Sequence, residues 1–366
     1  MPDSRLFATG LKLLFGLGGV TLLLGLISGF LRLEWFAFAG AERLQYHGVW
    51  MICGFLGTLI GLERAIHSEF KAAVLIPLLA VLGSALLIFQ SPFTAALMYG
   101  LSCLMHLVIY CQKQKYFFPS SLLNLLALLA WAGGIILWLS GRSFRLIGII
   151  WVLFPLLTIL PERWNFQTKQ KSWSDVIFLS FALNLGLFWP LLLFFPDLIL
   201  RLQGLSLCGL GICLWLKDAD LKSSKQNSWN IYFALNLSFA YFWLIFSGFV
   251  LVSQGAYLLQ NASFDGYLHG IFLGFVMGMI FSHFPKVIRL ILNQEFSFHP
   301  IFYLPWSLLQ LGLLLRFSLI FQTEIVFWKW GGSINLLAIV LFFGLVIAKL
   351  GLDRFSSLKG EEIGVE

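Results

Sequence analysis

Apolar stretches of about 20 residues recur from end to end of this 366-residue chain, and a helix of that length is what crosses a bilayer. Twelve can be drawn, at roughly 11–30, 45–62, 72–90, 93–111, 121–140, 144–160, 175–195, 198–216, 230–252, 267–284, 301–321 and 325–348. No long polar stretch interrupts them. The pattern predicts an all-α polytopic membrane protein with about 12 transmembrane helices, forming one domain over 1–366. The first span does not read as a cleaved signal peptide, because Gly29-Phe30-Leu31-Arg32 offers no small-x-small cleavage site.

Composition narrows the function classes. Only 11% of the residues are charged and 59% are hydrophobic, with a mean hydropathy of +0.89. A soluble domain carries roughly 25% charged residues, so an ordinary soluble enzyme is excluded. The net charge of +7 is spread over short loops and builds no basic domain, which excludes a nucleic-acid partner. The five cysteines (Cys53, Cys103, Cys111, Cys208 and Cys213) form no CxxC pair and read as buried packing rather than a disulfide scaffold.

Orientation follows from Lys and Arg, which concentrate in cytoplasmic loops. The termini and the even-numbered loops hold 17 of the 24, and the odd-numbered loops hold 6. Both termini are therefore expected in the cytoplasm. Helices 2, 4 and 10 then run from outside to inside, and helix 11 runs outward.

Six histidines are present. His67 and His299 lie in loops and read as solvated or interfacial. His47, His106, His269 and His283 lie in spans, where an ionisable side chain is costly and a functional role is the default. The orientation makes His47 and His269 an outer pair and His106 and His283 an inner pair. His269 and His283 are 14 residues apart, which at 100° per residue returns to nearly the same helix face about 21 Å further along. Gly266, Gly270, Gly274 and Gly278 recur every fourth residue on the tenth span, and Gly54, Gly57 and Gly61 mark the second. Such strips admit the close approach of another helix or of a flat macrocycle. Two imidazoles from facing helices can supply both axial ligands of a haem; alternatively, each forms a hydrogen bond between helices.

The two histidine segments carry a resemblance. "YHGVWMICGF" at 46–55 resembles helix II of the haem-copper oxidase catalytic subunit, which carries a low-spin haem ligand. "DGYLHGIFLGFVMGMIFSHFPK" at 265–286 resembles helix X of the same superfamily, which carries the other ligand. The NnrS-type membrane proteins, distant relatives of those oxidases, look similar in size and layout. The resemblance implies a haem-copper-oxidase-like bundle in the plasma membrane, the inner membrane of a bacterium. It also implies His47 and His269 as metal ligands of a b-type haem, with a second haem at His106 and His283 left open. Copper is left unknown. Implied partners are the lipid bilayer and a redox protein or respiratory complex.

The departures from that pattern matter as much. An oxidase has a second histidine two residues before the helix X ligand, and here that position is Tyr267. The helices that supply copper histidines in oxidases correspond to spans 6 and 7, which contain no histidine. No complete oxygen- or NO-reducing site is read, so the implied role is electron transfer or response to NO or another diatomic gas. Arg316, inside the eleventh span, is the candidate partner for a haem propionate, with Arg43 and Lys329 as weaker ones. The competing class is a twelve-helix secondary transporter for haem, metal or a small metabolite.

Overall fold

A computed structural model describes residues 2–36, 46–112, 119–164, 172–222, 228–294, 296, 298–318 and 324–363. Among the described residues there is no β-strand, and twelve helices are long and apolar enough to cross a membrane. They are α1 (Phe7–Leu31), α2 (His47–Ile66), α3 (Lys71–Ile88), α4 (Pro92–Cys111), α5 (Ser120–Leu139) and α6 (Phe144–Arg163), followed by α7 (Trp173–Leu193), α8 (Pro196–Lys217), α9 (Ser228–Leu259), α10 (Ser263–Leu292), α11 (Pro300–Phe317) and α12 (Ile325–Gly351). All twelve expected spans are present, with ends displaced by up to eight residues. The expected ends at 45 and 321 lie outside the described residues.

Short polar turns join neighbours into hairpins. Gln90 adopts φ 56° at the end of α3, and Pro92 then opens α4, where its missing N–H costs nothing. Gly141, at φ +72°, makes the turn between α5 and α6, and the Ser143 hydroxyl caps α6 by accepting from the Leu146 amide. α3 packs on α4, α5 on α6, α8 on α9, and α11 on α12. The α8–α9 pair meets backbone to backbone: a Cβ on Gly204 would lie 2.7 Å from the Gly248 carbonyl.

α2, α6 and α10 form the centre of the bundle. Their apolar windows are 67, 72 and 67% buried, against 28% for α7 and α12. Two of these central helices are locally widened and underwound. Residues Trp50–Leu56 of α2 and Gly270–Met277 of α10 are π-helical. π turns are rare and concentrate at functional sites. Each begins just after a histidine, His47 or His269.

The wide segment in α10 changes which way its far end faces. An α-helix turns 100° per residue, and a π turn takes in an additional residue, so later side chains rotate by about 100° relative to an unbroken helix. His269 and His283 therefore do not share a face, contrary to the reading from their 14-residue spacing. His269 stacks toward His47 of α2, whereas His283 meets Phe233 of α9 and Arg163 of α6.

The glycine row of α10 is likewise a helix-packing surface. Cβ atoms at Gly270 and Gly274 would strike Ser247 and Trp243 of α9 at 2.3 and 2.4 Å, and one at Gly266 would meet Phe317 of α11 at 3.1 Å.

Candidate functional site

His47 is the first residue of α2, and His269 is the seventh of α10, nearly two turns in. Their ring centres are 6.4 Å apart and their planes are tilted by only 20°. In each ring Nδ1 is committed to a main-chain carbonyl: Gly25 at 2.7 Å for His47, and Asp265 at 2.8 Å for His269. A carbonyl oxygen only accepts, so Nδ1 carries the proton in both rings and Nε2 keeps its lone pair. Among the described residues neither Nε2 has a hydrogen-bond partner.

That arrangement suits a shared metal. A metal–imidazole bond of about 2.0 Å, plus the roughly 1.1 Å from nitrogen to ring centre, places two trans imidazoles with centres about 6.3 Å apart. Holding the distal nitrogen in a hydrogen bond is the usual way a protein fixes the tautomer and aim of a ligating histidine.

α1 seats the α2 imidazole. A Cβ on Gly29 would lie 2.7 Å from His47 Cε1, and one on Gly25 would lie 2.5 Å from Met51 Sδ. The two glycines are four residues apart, on one face of α1. Without them α2 could not bring His47 against the Gly25 carbonyl.

A cavity of about 460 Å³ opens beside the pair, between α1, α2, α6, α10, α11 and α12. Its body is apolar, with Leu26, Met51, Phe55, Trp151, Phe272 and Leu336 among the lining residues. Charge gathers among Arg32, Arg145, Asp265 and Arg316. Gly48, next to His47, also lines it, and a Cβ there would meet nothing within 4 Å. An apolar slot with a few convergent polar groups is the common form of a cofactor site.

A model of a family described as a domain of unknown function, DUF8744, matches residues 11–350. The chain belongs to the DUF8744 family. The match takes in α2 through α11 whole, and with them both histidines and most of the cavity wall. Searches of curated proteins and of solved structures gave no significant match.

The other expected site residues of this DUF8744 chain fall elsewhere or do other work. Arg316 lines the cavity but is already engaged: its Nη1 donates to Asp265 at 2.7 Å and its Nε to Asn335 at 3.0 Å. Trp328 donates to the same Asp265 carboxylate at 2.8 Å. Lys329 bonds the Glu34 carbonyl at 2.8 Å and sits over Trp35 instead of the cavity. Arg43 lies outside the described residues.

His106 and His283 occupy separate neighbourhoods. His106 is buried, its Nδ1 has no partner, and it lines a small cavity of about 60 Å³ with Arg64, His67 and Asn124. His283 has both nitrogens occupied: Nδ1 donates to the Met279 carbonyl at 2.9 Å, and Nε2 accepts from Arg163 at 2.8 Å. Arg163 also forks onto Asp218 at 3.2 and 3.3 Å and reaches Asp220, while the Tyr241 hydroxyl donates to Asp218. That saturated cluster ties α6, α10 and α9 to the polar segment after α8.

Sequence reasoning missed Gly25, Gly29, Gly48, Arg32, Arg145 and Asp265. Asp265 left a usable signal, since it precedes His269 by four residues and so shares its helix face. The glycines of α1 and the two arginines left none, because their role depends on which helices become neighbours.

Proposed function

We propose that this protein is an integral membrane haem protein in which His47 and His269 bind one b-type haem as a low-spin, bis-histidine centre. The observation that carries the reading is the 6.4 Å separation of two nearly parallel imidazoles, each with Nδ1 bonded and Nε2 without a partner. The site's place on the second and tenth of twelve helices agrees with the haem-copper oxidase and NnrS-type resemblance. The same reading puts both termini in the cytoplasm, the chain as one domain in the plasma membrane, and the haem near the outer face.

When bound, the haem supplies one-electron redox chemistry. The chain's own groups do the rest. His47 and His269 would hold the iron through their Nε2 atoms. Leu26, Phe55, Phe272 and Leu336 exclude water from the apolar slot. Arg32 lines the cavity and would pair with a propionate, because Arg316 is taken by Asp265 and Arg145 donates to the Leu259 and Asn261 carbonyls. With both histidines as ligands, electron transfer would need no exchange of protein groups, whereas a gas response would require one histidine to leave. Electron transfer is therefore the favoured use, to or from a redox protein or respiratory complex.

Reduced-minus-oxidised spectroscopy of protein purified after haem-replete expression tests the proposal. A Soret band with the sharp α-band of a low-spin b-type centre is expected. Protein without Soret absorbance, or proteoliposome uptake of a solute that persists in His47→Ala, would favour the carrier instead.

A further inference from the structure

The two imidazoles differ in what holds them. His47 Nδ1 donates to the neutral Gly25 carbonyl alone, at 2.7 Å. His269 Nδ1 donates to the Asp265 carbonyl at 2.8 Å and also lies 3.2 Å from the Asp265 carboxylate oxygen Oδ1. The other carboxylate oxygen, Oδ2, accepts from Arg316 at 2.7 Å and from Trp328 at 2.8 Å. Arg316 is in turn aimed by Asn335, whose Nδ2 donates to the Leu309 carbonyl at 2.9 Å.

This is a graded device. A carboxylate behind an imidazole makes its far nitrogen a stronger donor to a metal. Donors on the back of the carboxylate draw charge away and weaken that effect. Three helices take part: Asp265 and His269 on α10, Arg316 on α11, and Trp328 and Asn335 on α12.

We infer that Asp265 is a positioning residue that strengthens His269 as the more basic of two unequal axial ligands, favouring the oxidised iron, with Arg316 and Trp328 setting how strongly it does so. The inference rests on the haem reading above and assigns to that site the group that sets its potential.

The test is redox titration of the purified, haem-loaded full chain, with low-spin ferric electron paramagnetic resonance as the spectroscopic signature. Asp265→Asn keeps the main-chain bond to His269 and removes the charge. It is expected to shift the reduction equilibrium about tenfold toward the reduced form, which is 59 mV for a one-electron couple. Trp328→Phe frees charge on the carboxylate and is expected to move the potential the opposite way, about threefold. It touches neither histidine, so it serves where Asp265→Asn folds poorly. Opposite shifts with matching changes in the ferric signal establish the role. Haem-replete variants whose potentials stay at the wild-type value overturn it, as do variants that only lose haem while the remainder keeps the wild-type potential. A wild-type protein without haem overturns the ligation itself and this inference with it.

Discussion

α10 presents a histidine near each end, and the two ends are built on opposite principles. At His269, Nδ1 is bonded to the Asp265 carbonyl, Nε2 has no partner among the described residues, and a cavity of about 460 Å³ lies beside the ring. At His283 nothing is left over. Both ring nitrogens, the Arg163 guanidinium, the Asp218 carboxylate and the Tyr241 hydroxyl bond one another in a closed set. The same residue type, in the same helix, lines a cavity at one end and closes a clasp at the other. What distinguishes them is the second ring nitrogen: His283 Nε2 accepts from Arg163, whereas His269 Nε2, on a side chain 20% exposed, has no partner among the described residues.

The largest expected effect sets one end against the other. His47→Ala and His269→Ala should each abolish the low-spin haem spectrum, whereas His283→Ala and His106→Ala should retain it. Difference spectra of the four variants check this; loss of the low-spin signal only in His283→Ala would reverse the comparison.

The next effect reverses the order. Arg163→Ala strands the Asp218 carboxylate, which is 1% exposed. Breaking a buried pair from one side costs about 3–5 kcal/mol. Thermal inactivation in detergent should show that loss, while the haem spectrum of the surviving folded protein stays unchanged.

The smallest effect sharpens the reading of the cavity. Gly29→Ala on α1 and Gly48→Ala on α2 each add one methyl at the wall of the cavity that His47 lines. At Gly29 the methyl collides with the His47 ring at 2.7 Å, so the variant should lower both stability and haem content. At Gly48 it meets nothing within 4 Å, and alanine is the better helix former by up to about 1 kcal/mol. The haem-free protein should therefore keep its stability, while haem affinity falls about tenfold. Parallel melting curves and haem titrations separate the two variants.

How much of this was legible beforehand differs by residue. His47 and His269 stood out because an ionisable group in an apolar span is conspicuous in one dimension. Their Nδ1 partners did not, because a main-chain carbonyl such as that of Gly25 has no side chain to announce it. Arg316, read as a propionate partner, lines the cavity, and its ion pair with Asp265 was not foreseen. Pairing His106 with His283 by depth failed because depth is a single coordinate, and the direction in which each side chain points is another.

The order of residues alone determined the number of membrane helices, their approximate ends and the all-α class, because apolar length against bilayer thickness is a local property of each segment. Only the tertiary structure decided which histidines meet. The π-helical turns of α2 and α10 rotate everything after them, and the small residues of α1 set how closely α2 approaches. Both are settled by packing between segments far apart in the chain, which no local pattern encodes.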